Sequence, residues 1–185
     1  MEFIDLALIV PAFNEEKTID AVIDSLSKYG TVVVIDDAST DNTFSIAKNT
    51  SAVVLSNDTN IGYEKSIYHG FEYIKTCPDI NYAITFDADG QHDPDAIPQM
   101  IDLLRTQADI VVCSRNYKQR FAEHIFSFYF RLFYSIDDPL SGLKGYNKKI
   151  FNDLPNYRPF NSYGTQILLI AASLPERYVI KQLQV

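Results

Sequence analysis

The hydrophobic positions of this chain follow two alternating rhythms: short runs without polar interruption, and longer stretches where apolar residues return every third or fourth position. Residues 6–10 form the first run, which ends at Pro11. Asn14 then stands where it can cap a helix whose apolar residues Ile19, Val22, Ile23 and Leu26 keep the i, i+3, i+4, i+7 spacing, with Gly30 as its stop. Residues 31–35 are a second run, almost all β-branched, closed by Asp36 and Asp37, with Ser39 or Thr40 placed to cap another helix. The rhythm continues with a strand at 52–55, a polar loop at 56–62, a helix carrying Ile67, Phe71 and Ile74, and a strand at 82–86. Pro94 suits a first helical position, Ile97, Met100, Ile101 and Leu104 form an inward stripe, and residues 109–113 read as a fifth strand.

Apolar strands alternating with amphipathic helices predict an α/β fold, a mostly parallel, Rossmann-like central sheet with helices on both faces. No repeat, low-complexity tract or linker divides the chain, so a single domain over 1–185 is expected. In such sheets ligands bind beyond the carboxyl ends of the strands, and the polar residues gather there: Asn14 and Glu15, Asp36 and Asp37, Asp87 and Asp89. After Arg115 the pattern turns aromatic and irregular through Tyr134, and a last core strand is expected from Tyr178 onward.

Composition narrows the chemistry. The chain has 185 residues, and 46% hydrophobic against 22% charged residues is the balance of a folded globular domain rather than a disordered one. A formal charge of −8 leaves no electrostatic footprint for a nucleic-acid backbone. An acidic protein can still bind a nucleoside diphosphate when a divalent cation supplies the positive charge. Cys77 and Cys113 fit neither a disulfide framework nor a paired-ligand zinc site, which points to a reducing cytoplasm. No signal peptide and no apolar stretch of transmembrane length is visible, so membrane contact is expected to be peripheral.

The strongest motif is Asp87-Ala88-Asp89-Gly90-Gln91-His92-Asp93-Pro94, two carboxylates one residue apart directly after a strand. Mg²⁺ and Mn²⁺ prefer oxygen ligands and often take one or two protein carboxylates, with phosphate and water completing the shell. An isolated pair of this kind is more often a solvated turn with Asp93 capping the next helix. Here three acidic strand ends share one edge, which is costly through like-charge repulsion unless a cation or hydrogen-bond donors are present. A dehydrogenase is excluded by the absence of Gly-x-Gly-x-x-Gly after the first strand, and a phosphate-loop NTPase by the absence of Gly-Lys-Ser/Thr.

Four segments together resemble family 2 glycosyltransferases of the GT-A fold: Ile9-Val10-Pro11-Ala12-Phe13-Asn14-Glu15, Val34 through Thr43, Asn60-Ile61-Gly62, and Asp87 through Pro94. Asp138-Pro139-Leu140-Ser141-Gly142-Leu143-Lys144 further resembles the subgroup with dolichol-phosphate mannosyltransferase and bacterial polyprenyl-phosphate glycosyltransferases. The resemblance implies that Pro11, Phe13 and Glu15 line a nucleoside pocket, with Ile35 and Asp37 beside base and ribose. It implies that Asp87 and Ala88 continue that wall, and that Asp89 and Gln91 hold Mg²⁺ or Mn²⁺ bridging the diphosphate. Residues 1–115 would then be the nucleotide-sugar-binding part and 116–185 the acceptor side.

The implied reaction is inverting transfer from a GDP- or UDP-linked sugar, to a polyprenyl phosphate or else to a soluble glycan or protein hydroxyl. A catalytically weak nucleotide-sugar-binding domain is the third reading. Arg115 matches the family's strand-end arginine and suits phosphate recognition, although a surface ion pair accounts for it equally. Asp138 is a candidate for acceptor positioning or simply an Asp-Pro turn. The aromatic stretch 116–136, with Lys118, Arg120 and Arg131, reads as an amphipathic helix for a membrane surface and polyprenyl chain, or as a packing helix or oligomer interface. His92 either approaches the metal or simply sits beside a helix cap, and His69 and His124 carry no legible chemistry. Family members commonly continue past the last strand into a basic loop over the donor phosphates, many adding membrane helices. Ending at Val185, this chain would be a shortened form, borrow a lid from a partner or turn over weakly, with Lys144, Lys148 and Lys149 as partial substitutes.

Overall fold

Successive residues of a strand face opposite sides, so an uninterrupted apolar run has to be covered twice. The computed structural model, which describes residues 3–114, 136, 138–153 and 163–184, shows that double cover. In chain order the elements are β1 (Leu6–Ala12), α1 (Ile19–Ser27), β2 (Thr31–Asp36), α2 (Thr43–Lys48), β3 (Val53–Ser56), α3 (Tyr63–Lys75) and β4 (Tyr82–Thr85). A 3₁₀ turn (Pro94–Ala96) leads into α4 (Ile97–Thr106), followed by β5 (Ile110–Ser114), β6 (Lys144–Asn147), α5 (Lys148–Asp153), α6 (Tyr163–Ser173) and β7 (Ile180–Gln184). Leu6, Leu8 and Val10 of β1 pack with the α1 and α4 stripes on one face. Ala7 and Ile9 pack with Ile67, Phe71 and Ile74 of α3 on the other. Each fully buried Leu, Ile or Phe in these layers stabilises the fold by about 1.5–3 kcal/mol.

The strand order is β3-β2-β1-β4-β6-β5-β7. β1 pairs in parallel with both β2 and β4, β2 with β3 and β5 with β7, while β6 runs antiparallel between β4 and β5. This is the single, mostly parallel α/β domain that the sequence pattern predicts. Chain order reverses on either side of β1, so the carboxyl ends of β1, β2 and β4 surround a topological switch point.

β6 is the element that hydrophobic patterning does not announce. Lys-Gly-Tyr-Asn is neither an apolar run nor an alternation, yet Gly145 pairs with Ile84 and Val111 on either side. A Cβ at Gly145 would sit 2.9 Å from Leu104 Cδ1, so α4 packs closely over the strand only because no side chain is there. Tyr146 fills the opposite layer, buried edge-on against Phe71 at a centroid distance of 5.3 Å.

Two expected caps are replaced by a cross-linked pair of loops. Asn14 does not cap α1; its backbone is left-handed at φ 56°, and its Oδ1 accepts a hydrogen bond from Thr40 N at 2.8 Å. Ser39 and Thr40 are likewise not the cap of α2, where Asp41 Oδ1 accepts from Thr43 N at 2.9 Å. Asn14 N donates to Ser39 Oγ at 3.0 Å and Glu15 N to Thr43 Oγ1 at 2.7 Å. Polar side chains that could cap their own helices instead tie the β1 and β2 exits together, which fixes the direction in which Phe13 and Glu15 leave the sheet.

Candidate functional site

Beyond the switch point lies a crevice of about 530 Å³, lined by Pro11, Phe13 and Glu15 from the β1 exit, Asp37 from β2, and Asp87, Ala88 and Asp89 from β4. Asn60, Gly62, Tyr63 and Ser66 close it on the α3 side, and Leu140 and Gly142 on the side of β6. The structure thus brings together seven of the sequence-derived candidates. Ile35 is not among them: it is fully buried and points into the α3 layer beneath the crevice. Gln91 is exposed on the turn next to Asp89 and does not line the crevice, and Asp138 is buried just before the Leu140–Gly142 wall. Arg115 and the 116–135 stretch lie outside the described residues.

The three crevice aspartates differ in how they are held. Asp37 is 4% exposed, and its Oδ1 accepts from Asn57 Nδ2 at 2.8 Å and from Ile61 N at 2.9 Å, while Oδ2 accepts from Gly62 N at 2.8 Å. Burial alone would raise its pKa, but these donors outweigh burial and hold the carboxyl below its usual range. Its partner Asp36 faces the other layer, receiving Ser39 N and Ser56 Oγ at 3.4 Å, so only Asp37 reaches the crevice.

Asp87 is clamped differently. Tyr63 donates its hydroxyl to Oδ1 at 2.6 Å, and His92 Nε2 meets Oδ2 at 2.8 Å, with the imidazole edge-on to Phe86. Burial pushes this carboxyl up, but the His92 and Tyr63 hydrogen bonds and the charges of His92 and Lys144 bring it below the ordinary value. Although the Tyr63 ring is partly exposed, the enclosed surroundings of its hydroxyl, and then the charge and hydrogen bond of Asp87, push the phenol well above its usual pKa. Gly142 packs its backbone directly on this carboxylate: a Cβ there would fall 2.6 Å from Asp87 Cγ and closer still to both oxygens. Thr85 Oγ1 donates to Gly142 O at 2.6 Å and fixes that approach.

Asp89 is exposed, and the protein contact recorded for its carboxylate is Gln91 N on Oδ1 at 2.9 Å. Among the described residues no three His, Cys, Asp or Glu side chains gather into a protein-only cation cage. An exposed aspartate with one backbone donor, beside Asp37 and Asp87 held by several and Glu15 accepting from Thr18 Oγ1 at 3.1 Å, suits Mg²⁺ or Mn²⁺, which keep water and take substrate phosphate rather than a full protein shell.

Two residues of this arrangement have no signal in the sequence, and one takes a different partner from those expected. Tyr63 becomes visible only when β4 and α3 meet, and His69 Nδ1 stands 2.8 Å from Asn57 Oδ1, one hydrogen bond away from Asp37. His92, read from the sequence as a metal neighbour or a residue beside a helix cap, meets Asp87. The lysines also resolve. Lys148 Nζ donates to Cys77 O and Lys149 pairs with Asp109 at the opposite end of the sheet, so neither stands over the crevice. Lys144 is buried with its Nζ on Ser141 O, beside Asp87.

Residues 7–169 match the family model described as glycosyl transferase family 2. The chain belongs to that family. Among similar proteins, an uncharacterised protein of Methanocaldococcus jannaschii is 31% identical over 179 residues, covering 83% of this chain and 71% of that one. The UDP-N-acetylglucosamine–dolichyl-phosphate N-acetylglucosaminyltransferase of Methanococcus voltae is 32% identical over 130 residues, covering 58% of this chain. This chain spans about half the length of that glycosyltransferase, 51%. The fold is shared with glucosyl-3-phosphoglycerate synthase from Mycobacterium tuberculosis, solved with Mn²⁺, UDP-glucose and phosphoglyceric acid. That likeness has a TM-score of 0.76 at 22% identity and covers 97% of this chain and 69% of the synthase.

Proposed function

We propose that this family 2 glycosyltransferase moves a sugar from a nucleoside-diphosphate sugar to a polyprenyl-type lipid phosphate, working at the inner face of a membrane. The observation that carries the donor half is one crevice at the switch point holding a fixed anion at Asp37, a clamped one at Asp87 and an open one at Asp89. The lipid-phosphate acceptor is supported by the Methanococcus relative, whose name specifies dolichyl phosphate. Among the described residues no helix is long and apolar enough to cross a membrane, so the lipid would be met from the surface.

In this reading Phe13, exposed at the crevice mouth, offers an apolar face to the base, and Asp37 accepts from N–H or O–H groups of the nucleoside. Asp89, with Gln91 beside it, would hold Mg²⁺ or Mn²⁺, whose chemistry there is to neutralise charge developing on the departing diphosphate. Tyr63 and His92 keep Asp87 ionised and hold its carboxylate in the crevice wall. An acceptor phosphate oxygen forms the new bond to the anomeric carbon as the carbon–diphosphate oxygen bond breaks, with inversion. That oxygen is already anionic near neutral pH, so no strong general base is required, and Asp138 and Arg115 are proposed to position the acceptor.

The test is transfer from UDP-N-acetylglucosamine, UDP-glucose and GDP-mannose with Mn²⁺, with and without a short polyprenyl phosphate in detergent micelles. Sugar appearing on the lipid supports the proposal. Turnover that is indifferent to the lipid, but proceeds onto a soluble hydroxyl or phosphoglycerate, would overturn its acceptor half.

A further inference from the structure

The two ends of the Asn57 side chain face different partners, and their chemistry sets a direction. Nδ2 lies 2.8 Å from Asp37 Oδ1 and 3.1 Å from Ser66 Oγ, while Oδ1 lies 2.8 Å from His69 Nδ1. A carboxylate only accepts, so the amide nitrogen has to face Asp37 and the amide oxygen faces His69. That oxygen also only accepts, so His69 Nδ1 has to carry a hydrogen, as it does in the Nδ1–H neutral tautomer and in the imidazolium alike. Donation therefore runs one way, from His69 to Asn57 to Asp37. If the amide turned over, its carbonyl oxygen would face the Asp37 carboxylate, and the hydrogen bond would become a repulsion. The backbone around it is fixed, since Asn57 N donates to Asp36 O at 2.9 Å. His69 itself is half-buried one turn beyond Ser66 on α3 and does not line the crevice.

We propose that His69 is a positioning residue of the donor site. Its Nδ1–H locks the Asn57 amide, and through it the Asp37 carboxylate and the Ile61–Gly62 backbone that Asp37 holds, in the geometry the nucleoside meets. The affinity part of this inference rests on reading the crevice as a nucleotide-sugar site; the lock itself does not.

Two substitutions of equal size separate polarity from packing. His69→Asn keeps a donor near the Nδ1 position, whereas His69→Asp presents only acceptors when ionised. Amide hydrogen exchange at Ile61 and Gly62, read on the ligand-free chain, reports the lock directly. Affinity for UDP-glucose, UDP-N-acetylglucosamine and GDP-mannose with Mn²⁺ reports its consequence. His69→Asp should speed exchange at both amides and weaken nucleotide-sugar binding by about tenfold or more, with His69→Leu intermediate and His69→Asn within about twofold of wild type. Circular dichroism identifies a variant that has not folded, in which case the Leu and Asn pair carries the comparison. Equal exchange in the donor and acceptor variants would overturn the proposal. Exchange in the expected order with no nucleotide sugar bound by the wild-type chain would overturn the functional assignment of the crevice and leave the lock standing.

Discussion

Asp37 and Asp89 follow β2 and β4, which flank β1 on its two sides, and both line the same crevice. Asp37 is buried and accepts three donors from the Asn57–Gly62 loop, so its charge is stabilised largely by the protein. Asp89 stands in solvent with a single recorded protein donor, so its charge is available to something from outside. Two aspartates on one sheet edge thus differ in how far the fold itself satisfies them, and what separates them is the number of donors that it directs at each.

The sharpest way to break this division is Asp89→Ala. Transfer should fall by about 100-fold or more, because a charge-neutralising cation contributes several kcal/mol at the transition state. Stability should change by no more than about 0.5 kcal/mol, as at other exposed sites. A rate assay beside a denaturant melt reads both, and an active variant would remove Asp89 from the metal.

Asp37→Asn should show the reverse emphasis. It sets an amide NH₂ against either the Asn57 and Ile61 donors or the Gly62 donor, and should cost about 1–3 kcal/mol of stability by chemical denaturation. Gly142→Ala tests the third acid. Its Cβ would overlap the Asp87 carboxylate, and overpacking of this kind costs about 1–3 kcal/mol, with donor affinity falling in parallel in a calorimetric titration. Tyr63→Phe removes one of the two side-chain clamps on Asp87 and should cost about 0.5–1.5 kcal/mol, read as a modest drop in thermal midpoint and nucleotide-sugar affinity.

The smallest expected effect is on pH dependence. The folded-state pKa of Asp37 is depressed, so its stabilising contribution is present above the unfolded value near 4 and is lost as pH falls through the lower folded value. Wild type should therefore lose stability faster than Asp37→Asn below about pH 4. Identical slopes in acid denaturation would show that Asp37 is not held by these donors.

Much of this molecule is legible before folding. The strands at 6–10, 31–35 and 109–113 announce themselves as apolar runs because both of their faces are covered, and the α1 and α4 stripes are the buried residues themselves. Strand ends then place the acids, since parallel pairing carries them to a common edge. What stays hidden depends on meetings across the chain. Ile35 looks like a crevice residue because it shares a face of β2 with Asp37, but it lies two residues deeper along the strand, buried in the α3 layer beneath the crevice. β6 escapes because its place is set by α4 and Phe71 rather than by its own residues. His69 carries no local signature, being defined by an amide twelve residues upstream, whereas His92 lies inside the legible Asp87–Pro94 motif and only its partner, Asp87, waits for the fold.

The missing side chain at position 142 has a practical consequence. Segment 138–144 tolerates exchange only for a segment that keeps glycine at position 142, because Thr85 grips the carbonyl there and Asp87 fills the volume a side chain would take. A chimera that brings any larger residue to position 142 has to change positions 85 and 87 with it, or it should misassemble at the seam.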